Sequence, residues 1–400
     1  MYFYEYAFFT FIITTMNFTK KSLVLVAFSF VTVMFSQEKP EVKIGGALRF
    51  NYNLSSWKDG QKKRGGDFGF DVFRINAKAK YKGIKLNAEY RFYSQSFGGG
   101  MLKQGWLGYD FNEKDNIQLG LTQVPFGITQ YNSHSWFFGI NYYLGLEDDH
   151  DMGVKFTHKG EKWEYALAFF KNAEELNFGS NSDVSDSRYS YDVASIDIDG
   201  DGNLDLRYKE TNQLNGKVNY HFGNKNIQHK IGFSAQYGGL YNLDTEDTSS
   251  HHAFALHYQL NAKNFDAKAQ VSTYKYNTNN TTYSNLIALT AYGAPYLTAS
   301  EATTYTLGAA YTFPVKWKPI SSIQVYNDFG YMDKAAVNFE DSLMNVFGFL
   351  VTAGNVYTYV DFAAGKDHPW LGPVWTNALA SGTPNADWDM RFNINIGYYF

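Results

Sequence analysis

The sequence predicts an all-β fold, a transmembrane antiparallel β-barrel of about sixteen strands with an inward-folded third loop. Three observations predict it. Apolar and polar residues alternate in segment after segment from residue 41 to the C-terminus, and a period of two places successive side chains on opposite faces of a strand. The alternating segments outrun the roughly six residues usual in soluble sheets. Their connections are alternately short and long, as in barrels with tight turns on one side of a membrane and extended loops on the other.

Composition agrees. The 400 residues include 32 Tyr and 34 Phe, suited to the aromatic girdles of a membrane barrel. Mean hydropathy is negative, which excludes a bundle of helices each needing about 20 apolar residues. With 35 Gly and 8 Pro the chain suits long strands joined by tight turns. The absence of Cys removes disulfides, thiolate catalysis and Cys-ligated metals. A formal net charge of -4 offers no global basic field for nucleic acid.

Residues 1–36 read as an export signal. Lys20 and Lys21 precede an apolar run from Leu23 to Phe35, and Ser36 is a small residue before a cut near Gln37. Met16 is the expected start, since the first fifteen residues carry no positive charge. The alternative is an N-terminal membrane anchor, against which the interruption Asn17 to Lys21 argues. Residues 37–400 are then one barrel domain.

Each strand follows from its alternation. In the first, Val42, Ile44, Leu48, Phe50 and Tyr52 oppose Lys43, Arg49, Asn51 and Asn53; in the second, Phe73, Ile75, Ala77, Ala79 and Tyr81 oppose Arg74, Asn76, Lys78 and Lys80. The third sets Ile84, Leu86, Ala88, Tyr90 and Phe92 against Lys85, Asn87, Glu89 and Arg91, and the last sets Trp388 to Phe400 against Asp389, Arg391, Asn393 and Asn395. The predicted spans are 41–54, 67–81, 83–96, 101–112, 115–123, 150–158, 161–172, 207–222, 227–241, 251–262, 264–277, 303–314, 320–332, 342–352, 355–366 and 387–400. Turns after even-numbered strands are tight, as at Lys82-Gly83 and Ala353-Gly354; the long loops 55–66, 124–149, 173–206, 278–302 and 367–386 follow odd ones. Both termini are therefore expected on the periplasmic side. Tyr81, Trp163, Tyr398, Tyr399 and Phe400 are expected in the interfacial girdles.

The third loop on the side of the long loops, 124–149, carries Pro125, Phe126 and Gly127 at its start, His134 and Trp136 in its middle, and Tyr142 and Tyr143 beyond. It is too apolar to lie free in water, so the inside of the wall is its expected seat. The runs GLTQVPFGI, SHSW and YYLGLEDDHDMGVKF, about residues 119 to 156, resemble the phosphate-selective porin O and P family, including its Bacteroidetes-type members. That resemblance implies a sixteen-stranded porin, trimeric, whose third loop narrows the lumen. It implies partners in outer-membrane lipid and in small anionic or neutral solutes. One departure stands out: 124–149 contains no Arg or Lys, which argues against a phosphate-specific ladder.

Charge placement suggests a selectivity device. Lys43, Arg49, Arg74, Lys78, Lys80, Lys85, Arg91 and Arg391 fall on the polar faces of strands one, two, three and sixteen, which adjoin once the barrel closes. Glu147, Asp148, Asp149 and Asp151 are expected to face this patch and set a transverse field with a modest anion preference.

Two further motifs need weighing. Asp197, Asp199, Asp201, Asn203 and Asp205 match the start of an EF-hand-type loop, expected to hold a structural calcium although the twelfth position is Tyr208. No other cofactor is required. For an enzyme, Ser133 or Ser135 with His134, His150 or His158 are the candidates, but no G-x-S-x-G elbow or H-E-x-x-H appears, so none is expected. The expected role is passive diffusion of small hydrophilic solutes; the alternative is surface attachment with an occluded lumen.

Overall fold

The computed structural model describes residues 40–174 and 187–400; the expected export signal lies outside the described residues. Sixteen strands build the wall. In chain order they are β1 (Glu41–Ser55), β2 (Asp67–Tyr81), β3 (Ile84–Phe92), β4 (Gly100–Asp110), β5 (Asp115–Gln123), β6 (His150–Lys159) and β7 (Trp163–Ala173). After the two short loop strands β8 (Asp192–Val193) and β9 (Ser195–Ile196), the wall continues with β10 (Leu206–Gly223), β11 (Ile227–Asn242), β12 (Thr248–Ala262) and β13 (Phe265–Tyr276). The loop hairpin β14 (Leu286–Ala291) and β15 (Ala294–Ala299) precedes β16 (Glu301–Trp317), β17 (Ile320–Lys334), β18 (Ser342–Ala353), β19 (Val356–Lys366) and β20 (Asp389–Tyr399).

Each wall strand pairs with its neighbours in the wall, and β20 returns antiparallel onto β1 from Ala47↔Tyr399 to Ser55↔Arg391. Closure is what lipid demands, because an open sheet edge in hydrocarbon would leave N–H and C=O groups unpaired. The alternation then sorts the two faces. Leu119, Leu167, Leu214 and Leu307 point outward, each 60% exposed, while Ser234, Asp361 and Asn393 point inward at 0%. An apolar outer face around a polar interior is inverted relative to a soluble sandwich and requires lipid outside.

The predicted all-β barrel is therefore observed, and the spans 67–81 and 115–123 match end to end. At Lys82-Gly83 both residues take positive φ (47° and 85°), the backbone of a two-residue hairpin whose twist matches its strands. The predicted strand 83–96 stops at Phe92, because Gln95–Phe97 closes into a 3-10 turn ended by the left-handed Gly98. Loop 1 holds one short helix, α1 (Asp59–Lys63).

The larger departure is in the long loops. Residues 278–302, expected as plain loop, contain the β14–β15 hairpin, and β14 adds a pairing to β8 of loop 4 at Leu289↔Val193. Ile287, Leu289, Tyr296 and Leu297 are all buried. A hairpin buried on both faces shows no alternation, so periodicity alone cannot reveal it.

Candidate functional site in the barrel interior

Loop 3 (124–149) leaves β5 and turns into the lumen. Of its residues only Gln130 is exposed. It runs along the inner face of the wall from β11 to β17, held by side chains of β11, β13 and β16. Gly127 N–H donates to Ser234 Oγ (2.8 Å), Ile128 N–H to Gln270 Oε1 (2.7 Å) and Asn132 Nδ2 to Thr306 Oγ1 (3.2 Å). Two wall lysines reach up to loop oxygens, Lys217 to Thr129 Oγ1 and Lys268 to the carbonyls of Tyr131 and Ser133, while Lys155 holds the Gln123 carbonyl at the end of β5. The loop brings no Arg or Lys of its own, so the wall supplies them.

At the far wall His134 is clamped. Its Nδ1 lies 2.8 Å from Asp328 Oδ1 and its Nε2 2.6 Å from Asp266 Oδ1. The backbone N–H groups of His134 and Ser135 both donate to Asp328 Oδ2. Burial by itself lowers the His134 pKa, but the two carboxylates outweigh it and hold the pKa above its ordinary value. Two carboxylate partners favour the doubly protonated ring, in which both nitrogens donate.

The remaining loop residues build an apolar core inside the barrel. Phe137, Ile140, Tyr142, Tyr143 and Leu144 pack with Tyr189, Tyr191 and Val193 of loop 4, with the β14–β15 hairpin of loop 6, and with Leu371 and Leu379 of loop 8. The tyrosine hydroxyls are satisfied internally: Tyr142 donates to the Tyr189 carbonyl (3.0 Å) and Tyr143 to the Phe137 carbonyl (2.7 Å). Phe126 and Pro125 are buried at the loop's entry, and Trp136 is half-buried against Phe137.

The basic wall lies where strand adjacency puts it, but with acids interleaved. Arg74 and Arg91 sit directly opposite one another on β2 and β3, and Glu89 lies between them, 3.4 Å and 2.6 Å from their guanidinium nitrogens. Asp71 pairs with Arg49 (2.8 Å), and Asp110 with Lys85 (2.6 Å) and Lys80 (3.6 Å). Arg391 lies over the Trp57 ring. Lys78 is exposed, as is Lys43 near the start of β1. Positive side chains still outnumber their acidic partners on this stretch of wall.

The expected row of acids facing this wall is not what the fold makes. Asp148 does meet a base, Lys103 of β4 (2.5 Å), though Lys103 was not among the predicted residues. Glu147 turns into loop 3, where its carboxylate accepts the N–H groups of Asn132 and Gly139 (both 3.1 Å). Burial pushes its pKa up to about 8, against the pull of those two N–H groups. Asp149 and Asp151 turn toward loop 4 and β10. The reason is strand order: β6 adjoins β5 and β7, and β7 adjoins β10, so Asp149 and Asp151 at the start of β6 meet β10 and the β8 strand of loop 4 instead of the basic strands. Lys103, Lys217 and Lys268 were legible as polar-face residues of strands; their partners in loop 3 were not.

The turn 197–205 engages its own backbone. Asp197 accepts from Gly200 and Gly202 N–H, Asp201 from Asn203 N–H, and Asp205 from Ile198 N–H. Asp199 is exposed. Among the described residues the carboxylates that converge closely enough to share an ion are Asp149, Asp151 and Asp192, not this turn. Nor do the serine and histidine candidates pair. His134 is committed to two aspartates, Ser135 Oγ donates to the Phe138 carbonyl (3.5 Å), and His158 Nδ1 lies 2.6 Å from Asp115.

The architecture is that of an outer-membrane β-barrel of the porin type. No protein-family model matches the sequence, and no curated protein matches it either. Solved structures do share the fold. OmpT of Vibrio cholerae superposes with a TM-score of 0.55 at 14% identity, covering 92% of this chain and 99% of that one. The anion-selective porin from Comamonas acidovorans gives 0.54 at 12%, covering 90% and 100%. Salmonella typhi OmpF in its complex with daunomycin gives 0.58 at 11%, covering 90% and 97%. Identities this low establish a common fold and nothing finer.

Proposed function

We propose that this chain is a porin, a water-filled channel for passive diffusion of small hydrophilic solutes across a bacterial outer membrane, with a modest preference for anions. The observation that carries the reading is the closed barrel with a polar inner face, narrowed by a third loop strapped to the wall. The excess of bases on β20, β1, β2 and β3 supports the anion preference, since charge lining a narrow pore sets selectivity. Phosphate specificity, suggested by the family resemblance, has less support: loop 3 holds no Arg or Lys, and Lys217 and Lys268 are occupied with its oxygens. Trimeric assembly follows from the resemblance and is checked by the native mass in detergent.

A second reading, an attachment protein with an occluded lumen, draws on one observation: loops 3, 4, 6 and 8 merge into a single apolar core inside the barrel. Single-channel recording across a salt gradient separates the two. Stepwise conductance with an anion-favouring reversal potential, moved toward neutrality by Arg74→Ser with Lys78→Ser, supports the channel. Silence from folded, heat-modifiable protein would leave the attachment reading in its place. Block by millimolar phosphate would restore phosphate specificity.

A further inference from the structure

Where loop 3 runs into β6, five carboxylates crowd together. Asp149 and Asp151 come from that junction, Glu174 from just beyond β7, Asp192 from β8 in loop 4 and Glu210 from β10; none is more than 8% exposed. Asp149, Asp151 and Asp192 each present an oxygen within 4.8 Å of the others, and the carboxyls of Asp192 and Glu210 lie within hydrogen-bonding reach. The compensating charge is small. Among the described residues it comes from Arg188, whose Nη1 is 3.3 Å from Asp192 Oδ2.

A second observation concerns single atoms. Asp151 is 2% exposed, and its Oδ1 accepts no hydrogen bond among the described residues; its Oδ2 takes Gln213 Nε2 at 3.3 Å. Glu174 Oε2 and Gln213 Oε1 are likewise buried and unpartnered. Buried carboxylate oxygens normally find donors or a metal, because an unpaired buried charge is strongly disfavoured.

We propose that Asp149, Asp151, Asp192 and Glu210 form a divalent-cation site. The donors are all hard oxygens with no sulfur, and their number and mixed origin suit calcium better than zinc or magnesium. An ion there ties three pieces of chain together: the exit of loop 3, the β8 strand of loop 4, and the wall at β10. It would replace the missing donors at Asp151 Oδ1 and neutralise carboxylates that Arg188 alone does not balance. The site is distinct from the exposed turn 197–205.

The test is calcium titration of the protein refolded in detergent and stripped with EDTA, by calorimetry and by terbium luminescence sensitised through the tyrosines beside the site. The expected result is one saturable ion per chain. Asp192→Asn or Asp151→Asn weakens it by at least about a hundredfold, while Asp199→Asn and Asp201→Asn leave it unchanged. The reverse pattern moves the ion to the exposed turn and overturns the assignment. So does an absence of saturable binding to folded wild-type protein, which would mean that the carboxyls share protons; this arm holds even if the Asp192 variant fails to fold. Because the readout is binding, it stands apart from whether the barrel conducts.

Discussion

Asp328 is the side chain on which the docking of loop 3 most depends. Its Oδ2 accepts the N–H groups of His134 (2.7 Å) and Ser135 (2.8 Å), and its Oδ1 faces His134 Nδ1 at 2.8 Å. Asp328→Ala leaves two backbone N–H groups without an acceptor, at about 1–3 kcal/mol each, so loop 3 should lose roughly 2–6 kcal/mol of docking free energy. Water can enter the space vacated, which favours the lower end, and roughly 2 kcal/mol already raises the undocked population about thirtyfold. Asp328→Asn keeps the shape and one acceptor oxygen, and should fall between the two. The barrel's own hydrogen bonds are untouched, so heat-modifiability should not change. Hydrogen exchange at the amides of 134 and 135 reads the docking directly, and single-channel noise reads its consequence. If both amides exchange in the alanine variant as slowly as in wild type, the clamp is not what holds the loop.

Other consequences follow from the same geometry. Leu307→Arg, on the lipid face of β16, should cost about 2–4 kcal/mol if its position is near the bilayer midplane; the free energy of folding into lipid vesicles measures it, and a neutral result would move the lipid boundary. Tyr142→Ala removes a buried ring from the loop core and should cost about 3–5 kcal/mol locally, seen as faster proteolysis of loops 3 and 4 with the barrel intact. Docking of loop 3 should also weaken as pH rises. The His134 contribution is complete below its ordinary pKa of 6.5 and is lost as pH rises through its raised folded value. The Glu147 contribution declines from 4.5 upward and is gone above about 8. Both signs agree, so Trp136 fluorescence should report a looser loop at alkaline pH, and a looser loop at acid pH would contradict both assignments.

Much of this protein was legible in its residues alone. Alternation from Val42 to Phe400 specifies strands, their inward and outward faces and their number, because a period of two is a local property of the backbone. The inward fate of loop 3 followed from Phe137, Tyr142 and Tyr143, which water does not tolerate in a free loop. What alternation could not show is the β14–β15 hairpin, buried on both faces. It also could not show which acids meet which bases. Asp148 finds Lys103, Glu147 finds two loop amides, and Asp149 and Asp151 find Asp192, a residue far along the chain. Those pairings depend on strand order around the closed wall and on where loops 3 and 4 come to rest. Contacts between distant segments have no local signature, so only the tertiary structure decided them.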